Sequence, residues 1–81
     1  MANGRPDIVI RDKNGRIVAL KEVKHVEKLT KAHIYQTANY YPRSQIPKSV
    51  VIARKTEVPD NVKKIADGLN IKIERKRVDF H

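Results

Sequence analysis

The chain has 81 residues, and its 18 lysines and arginines against 9 acidic residues give a net charge of +9 at pH 7. This length predicts one domain over residues 1–81 with a thin hydrophobic core. The sequence contains no cysteine, which excludes disulfides, iron–sulfur clusters and thiolate zinc sites. We find no apolar run long enough to span a membrane and no secretory leader, so we expect a cytoplasmic protein.

The excess of positive charge predicts a polyanionic partner, most commonly nucleic acid. A generally basic, thermophile-like surface is the alternative interpretation. The residues that we assign to nucleic-acid binding are Arg5, His25, His33, Arg54 and Lys55. Further basic candidates for phosphate contacts are Lys63, Lys64, Arg75, Lys76 and Arg77.

The first two predicted elements form a hairpin. Residues 8–10 are a short apolar run, and residues 16–25 form a longer strand whose centre, IVAL, predicts burial on both faces. Between them, Asn14 and Gly15 predict a two-residue type I′ turn, because that turn needs positive φ at both positions.

A helix is predicted over the next segment, LTKAHIYQTANYYP. Thr30 is suited to the N-cap and Pro42 to the stop. Ile34, Ala38 and Tyr41 then form an inward apolar stripe at helical spacing. The following run, KSVVIAR, predicts a third strand that is buried in its middle.

The last two predicted elements are a second helix, in VPDNVKKIADGLN, and a basic edge strand, IKIERKRVDF. Gly68 or Asn70 is expected to close the helix. Its predicted apolar stripe consists of Val62, Ile65, Ala66 and Leu69. The element order β-β-α-β-α-β predicts a small α/β fold with a mixed sheet.

Asp7 and Glu22 are predicted to face each other across the hairpin. A two-residue turn sets Lys13 opposite Arg16, and in that register Asp7 falls opposite Glu22. Lys24 lies two residues further along the same face. Opposed carboxylates destabilise a hairpin, and a divalent cation such as Mg²⁺ removes that cost. The alternative is that Glu22 and Lys24 are ordinary solvated residues at the strand end and that Asp7 is a turn or edge residue.

The same residues resemble a known motif. Pro6 and Asp7, followed by Glu22, Val23 and Lys24 on the next strand, resemble the PD-(D/E)xK nuclease superfamily, which has the restriction-endonuclease-like fold. The resemblance implies Mg²⁺-dependent hydrolysis of DNA phosphodiesters, with Mn²⁺ as a possible substitute. It also implies that Asp7 and Glu22 bind the metal with the Val23 carbonyl, and that Lys24 serves the attacking water.

Gln36 and Tyr40 stand four residues apart on the predicted helix and resemble the QxxxY element of the RecB-like exonuclease branch. This implies that they sit above the site and steady Lys24 or the phosphate. The resemblance covers roughly residues 5–54, and the small dimeric archaeal Holliday-junction resolvases share its core motif and basic character. The fold it implies is a reduced restriction-endonuclease-like core.

The chain also departs from that family. Members usually carry a helix and one more strand before the PD motif, whereas six residues precede Asp7 here. A partner subunit that completes the fold, a reduced core and lost activity are the three alternatives. We expect an endo- or exodeoxyribonuclease that acts on DNA as a homodimer, without a membrane or a small-molecule cofactor. A non-catalytic nucleic-acid-binding module with a nuclease-like core, or a basic protein-interaction domain, is the alternative.

Overall fold

The computed structural model describes residues 6–40 and 46–76. The elements follow the predicted order β-β-α-β-α-β. They are β1 (Ile8–Arg11), β2 (Ile17–Lys24), α1 (Lys31–Ala38), β3 (Lys48–Ile52), α2 (Asp60–Gly68) and β4 (Ile71–Arg75). The predicted α/β class with a mixed sheet is therefore confirmed.

The four strands form one sheet in the order β1-β2-β3-β4. β1 is antiparallel to β2, while β2, β3 and β4 are mutually parallel. Both helices contact each other and pack with β3 and β4 around one apolar cluster. Its buried members are Leu29, Ile34, Val50, Ile52, Val62, Ala66 and Ile71. On the other face of the sheet, a Lys21–Glu74 ion pair of 2.8 Å bridges β2 to β4.

The hairpin turn differs from the predicted two-residue turn. Asp12 N–H donates to Arg16 O, which leaves a three-residue loop, and within it only Gly15 has a positive φ. A bulge after Ile10 then accommodates Val18 as an extra residue of β2. The longer loop and the bulge offset each other, so the predicted pairing of Val9 with Leu20 is confirmed.

Burial in β2 is narrower than the apolar IVAL run predicted. Leu20 is buried, but Val18 is exposed. The reason is that β1 contacts only β2 among the described elements, so no helix covers the β1 end of the strand order. Leu69, predicted to lie in the core stripe of α2, is also exposed because the helix ends at Gly68. Asn70 closes α2 with a positive φ of 58°, as expected.

Two predicted members of the apolar stripe of α1 are confirmed, since Ile34 is buried in the core and Ala38 packs against it. Ile34 and Thr37 are buried within the helix, and Tyr40 is buried just beyond its end. Tyr41, which we expected in the core, lies outside the described residues. Thr30 is the N-cap, as predicted.

None of the described helices is both long enough and apolar enough to cross a lipid bilayer.

Candidate active site

The candidate site lies where β2, β3 and β4 end. Because these strands are parallel, their carboxyl ends meet at one edge of the sheet. β1 runs the opposite way, so its amino end reaches the same edge. Asp7 directly precedes β1, and Glu22 and Lys24 lie in the last three residues of β2. The fold therefore brings the predicted acidic pair and Lys24 together.

Asp7 is held against β2 by a backbone contact. Val23 N–H donates a hydrogen bond of 2.8 Å to Asp7 Oδ2. This bond, followed by a side-chain hydrogen bond with Glu22 and by the Lys24 ammonium, holds the pKa of Asp7 below its ordinary value, while burial opposes the shift. Asp7 is therefore an ionised carboxylate of fixed position at neutral pH.

Glu22 is a buried carboxylate, with 3% of its surface exposed. Its Oε2 accepts a 2.7 Å hydrogen bond from the Tyr40 hydroxyl and lies 3.6 Å from Lys24 Nζ. Its Oε1 is buried and has no hydrogen-bond partner among the described residues. A buried polar oxygen without a partner is costly, so this atom is the place where a cationic ligand gains the most.

Tyr40 and Gln36 act on Glu22. Burial, followed by the hydrogen bond to Glu22, raises the pKa of Tyr40 to about 12, so the hydroxyl keeps its proton and remains a donor. The Gln36 side chain hydrogen-bonds to Tyr40 in turn. The structure thus places the two predicted helix residues at the site, with Tyr40 contacting the carboxylate.

The residues present fit a magnesium ion. Mg²⁺ binds through oxygen, commonly using one or two carboxylates and several waters. Asp7 and the unpartnered Glu22 Oε1 supply that donor type, and the resemblance adds the Val23 carbonyl. No cluster of three or more His, Asp or Glu side chains suited to a metal occurs in residues 6–40 and 46–76. Within the described part of the chain, the side-chain ligands of an ion held here would be the carboxylates of Asp7 and Glu22.

His33 lies in the first turn of α1 and is oriented by Thr30. Thr30 N–H donates to His33 Nδ1 at 3.1 Å, so Nδ1 is the unprotonated nitrogen and Nε2 carries the hydrogen in this assignment. Burial and the Lys24 ammonium lower the pKa of His33, and Glu22 partly opposes them. This role of Thr30 was not predicted, because a capping box normally has Glu or Gln where His33 stands.

Several basic residues lie at the same edge of the sheet, after the ends of β2 and β3. His25 follows β2 directly, and its Nε2 lies 3.0 Å from Lys76 Nζ. Arg54 and Lys55 are exposed in the turn after β3. Arg5, also predicted to bind nucleic acid, lies outside the described residues.

The Arg75 guanidinium is engaged within the protein. Its Nη1 donates to the carbonyls of Ala53, Arg54 and Thr56 at 3.2, 2.9 and 2.7 Å. These bonds tie the end of β4 to the turn after β3. Arg75 therefore supports the basic edge, whereas Arg54 and Lys55 present their charges at its surface.

Comparisons of the chain with protein-family models, with curated proteins and with solved structures gave no match.

Proposed function

We propose that the chain is a Mg²⁺-dependent deoxyribonuclease that hydrolyses DNA phosphodiester bonds, built on a reduced restriction-endonuclease-like core and acting in the cytoplasm as a homodimer. The observation that carries the proposal is the buried Glu22 carboxylate beside Asp7, with Oε1 unpartnered among the described residues. A net charge of +9 supports DNA as the substrate.

Each residue of the site has a role in this proposal. Asp7, Glu22 and the Val23 carbonyl would hold Mg²⁺, which supplies neutralisation of the two carboxylates and polarisation of a phosphate oxygen. Lys24 would orient the attacking water and stabilise the negative charge that develops on the phosphate. Tyr40, supported by Gln36, keeps Glu22 Oε2 occupied and leaves Oε1 available.

The basic edge would position the DNA backbone. Arg54 and Lys55 are exposed beside the end of β3, and His25 lies at the end of β2. Contacts of this kind fix the register of a duplex without reading its sequence. The logarithm of the DNA-binding constant should therefore fall linearly with the logarithm of the salt concentration.

The test combines metal binding and cleavage in matched variants. Mg²⁺ or Mn²⁺ is titrated calorimetrically into the wild type, Glu22→Gln and Glu57→Gln, each with and without a short DNA duplex, and the products are separated on a gel. Glu57 is an exposed glutamate, so its variant controls for the loss of one negative charge. We expect ion binding and cleavage in the wild type and Glu57→Gln, and neither in Glu22→Gln. Intact DNA in every sample would refute the nuclease proposal.

The second candidate is a non-catalytic nucleic-acid-binding module. It is favoured by the absence of a third acidic or histidine ligand near Asp7 and Glu22 in the described part of the chain. This function predicts salt-sensitive DNA binding in all three proteins, no cleavage in Mg²⁺ or Mn²⁺, and no dependence of binding on Glu22.

A further inference from the structure

β1 is an edge strand whose outer backbone groups can be assigned. Leu20 N–H donates to Pro47 O on the β3 side, so the peptide groups of Leu20 turn away from β1. Val9 is opposite Leu20 and therefore forms a pair of the non-hydrogen-bonded type. It follows that the N–H and C=O of Val9 point outward, away from β2. Asp12 N–H points inward to Arg16, which places Arg11 in the same outward set by alternation.

The first three side chains of β1 are apolar and uncovered. Ile8, Val9 and Ile10 are 41%, 38% and 38% exposed. An exposed apolar edge strand is a template for pairing with another chain, and natural edges are usually protected by charges. The opposite edge strand, β4, has that protection because Lys72 and Glu74 alternate along it. The two outermost strands of the sheet therefore differ, and β1 is the one suited to pairing with another chain.

We propose that a second copy of this chain pairs with β1 in antiparallel orientation, around a two-fold axis at Val9. The outward N–H and C=O of Val9 then bond those of the partner's Val9. Ile8 falls opposite the partner's Ile10, which covers apolar surface on both copies. The interface is isologous, so each contact occurs twice.

Charge complementarity selects this register. With Val9 on the axis, Asp7 falls opposite the partner's Arg11, and the reverse pair forms on the other side of the axis. In an antiparallel pair, outward-pointing residues must lie opposite outward-pointing residues. The nearest alternative registers therefore slide one strand by two residues in either direction. One such shift sets Ile10 opposite Pro6, and the other sets Ile8 opposite Asp12. Each shift replaces an apolar pair and separates Asp7 from Arg11.

The pairing would add a residue to the candidate site. Asp7, Val9 and Arg11 share one face of β1 by alternation, and this is the face on which Asp7 meets Glu22. The partner's Arg11 would therefore lie beside Asp7, where its guanidinium is placed to contact a phosphate. Arg11 Nη1 donates a hydrogen bond of 2.8 Å to Gly15 O, and the guanidinium has further N–H donors. This last role, unlike the pairing, rests on the proposed nuclease function.

The pairing is tested by molar mass, with no dependence on cleavage. Light scattering after size exclusion is measured over a concentration series for the wild type, Val9→Lys and Leu69→Lys. Leu69 is 43% exposed and lies after α2, so it controls for the same gain of charge at an exposed apolar residue. We expect the wild type and Leu69→Lys to form dimers, and Val9→Lys to weaken association at least tenfold. A wild type that stays monomeric, or a Val9→Lys dimer of unchanged affinity, overturns the proposal.

The register is tested by charge exchange. Arg11→Asp alone sets two acids opposite each other, and Asp7→Arg alone sets two arginines opposite each other, so each variant should be monomeric. In an equimolar mixture both pairs become complementary, and the mass of a dimer should return. Circular dichroism of each variant establishes that it is folded. Folded variants that fail to restore the dimer on mixing overturn the assigned register.

Discussion

Tyr40 Oη donates a 2.7 Å hydrogen bond to Glu22 Oε2, and this contact joins the end of α1 to the end of β2. Both residues are buried, so the hydrogen bond from the protonated Tyr40 hydroxyl to the Glu22 carboxyl group has little access to water. Burying the ionisable Glu22 side chain at the sheet edge costs free energy that burying an apolar core residue would not cost.

We expect Tyr40→Phe to lower the free energy of unfolding by about 1.5–3 kcal/mol, the usual contribution of a hydrogen bond to a charged group. After the change, Lys24 Nζ still lies 3.6 Å from Glu22 Oε2. Urea unfolding of Tyr40→Phe and Tyr35→Phe provides the measurement. Tyr35 is 50% exposed, so its variant should lie within about 0.5 kcal/mol of the wild type. Equal effects in the two variants would mean that the bond to Glu22 is not stabilising.

His33 predicts a dependence of stability on pH. Its folded pKa lies below the ordinary value of 6.5, so the unfolded chain binds the proton more readily than the folded one. The contribution to stability is therefore complete above pH 6.5 and is lost as pH falls through the lowered folded pKa. Protonation also removes the Nδ1 acceptor used by Thr30 N–H.

His33→Gln isolates this effect. Glutamine at this position can still accept from Thr30 N–H, as in an ordinary capping box, but it does not titrate. Unfolding free energies measured between about pH 5 and pH 8 should decline toward acid in the wild type and stay flatter in His33→Gln. Parallel curves for the two proteins would show that His33 does not cause the decline.

Substitution of Arg75 should lower stability, whereas substitution of Arg54 should lower DNA affinity. Arg75→Met removes three hydrogen bonds to carbonyls of the turn after β3, and we expect a loss of about 1–2 kcal/mol of unfolding free energy. Arg54→Met, the same chemical change at an exposed residue, should leave stability within about 0.5 kcal/mol and reduce DNA affinity. Thermal unfolding and DNA titration at several salt concentrations give both quantities. The reverse pattern would reassign the two residues.

The strands and their order followed from local pattern, because alternation and turn residues act over short distances. The pairing of Val9 with Leu20 was predicted for an incomplete reason. The three-residue loop and the extra Val18 in β2 shift the register by equal and opposite amounts, and neither is encoded by the Asn14-Gly15 signal alone. A correct register can therefore conceal two compensating deviations in the backbone.

The candidate site was predictable as a set of residues but not as an arrangement. The spacing of Asp7 and Glu22 indicated that they meet at the sheet edge, and the fold places them there. The buried Glu22 carboxyl is hydrogen-bonded by Tyr40, which follows α1 and lies 18 positions further along the chain. Helical periodicity does not predict the burial of Tyr40, because that residue lies in the backbone after the end of α1.

Lys24 distinguishes a nuclease from a binding module most directly. Its Nζ lies 3.6 Å from Glu22 Oε2, within reach of the site but without a part in the proposed metal ligation. We expect Lys24→Met to retain calorimetric Mg²⁺ binding and to slow cleavage by about 10²-fold or more, because a group that stabilises developing charge is lost. Lys72→Met makes the same change on an exposed residue of β4 and should cleave at the wild-type rate. If the two variants cleave equally well, Lys24 has no part in the chemistry, and the water-orienting role assigned to it is wrong.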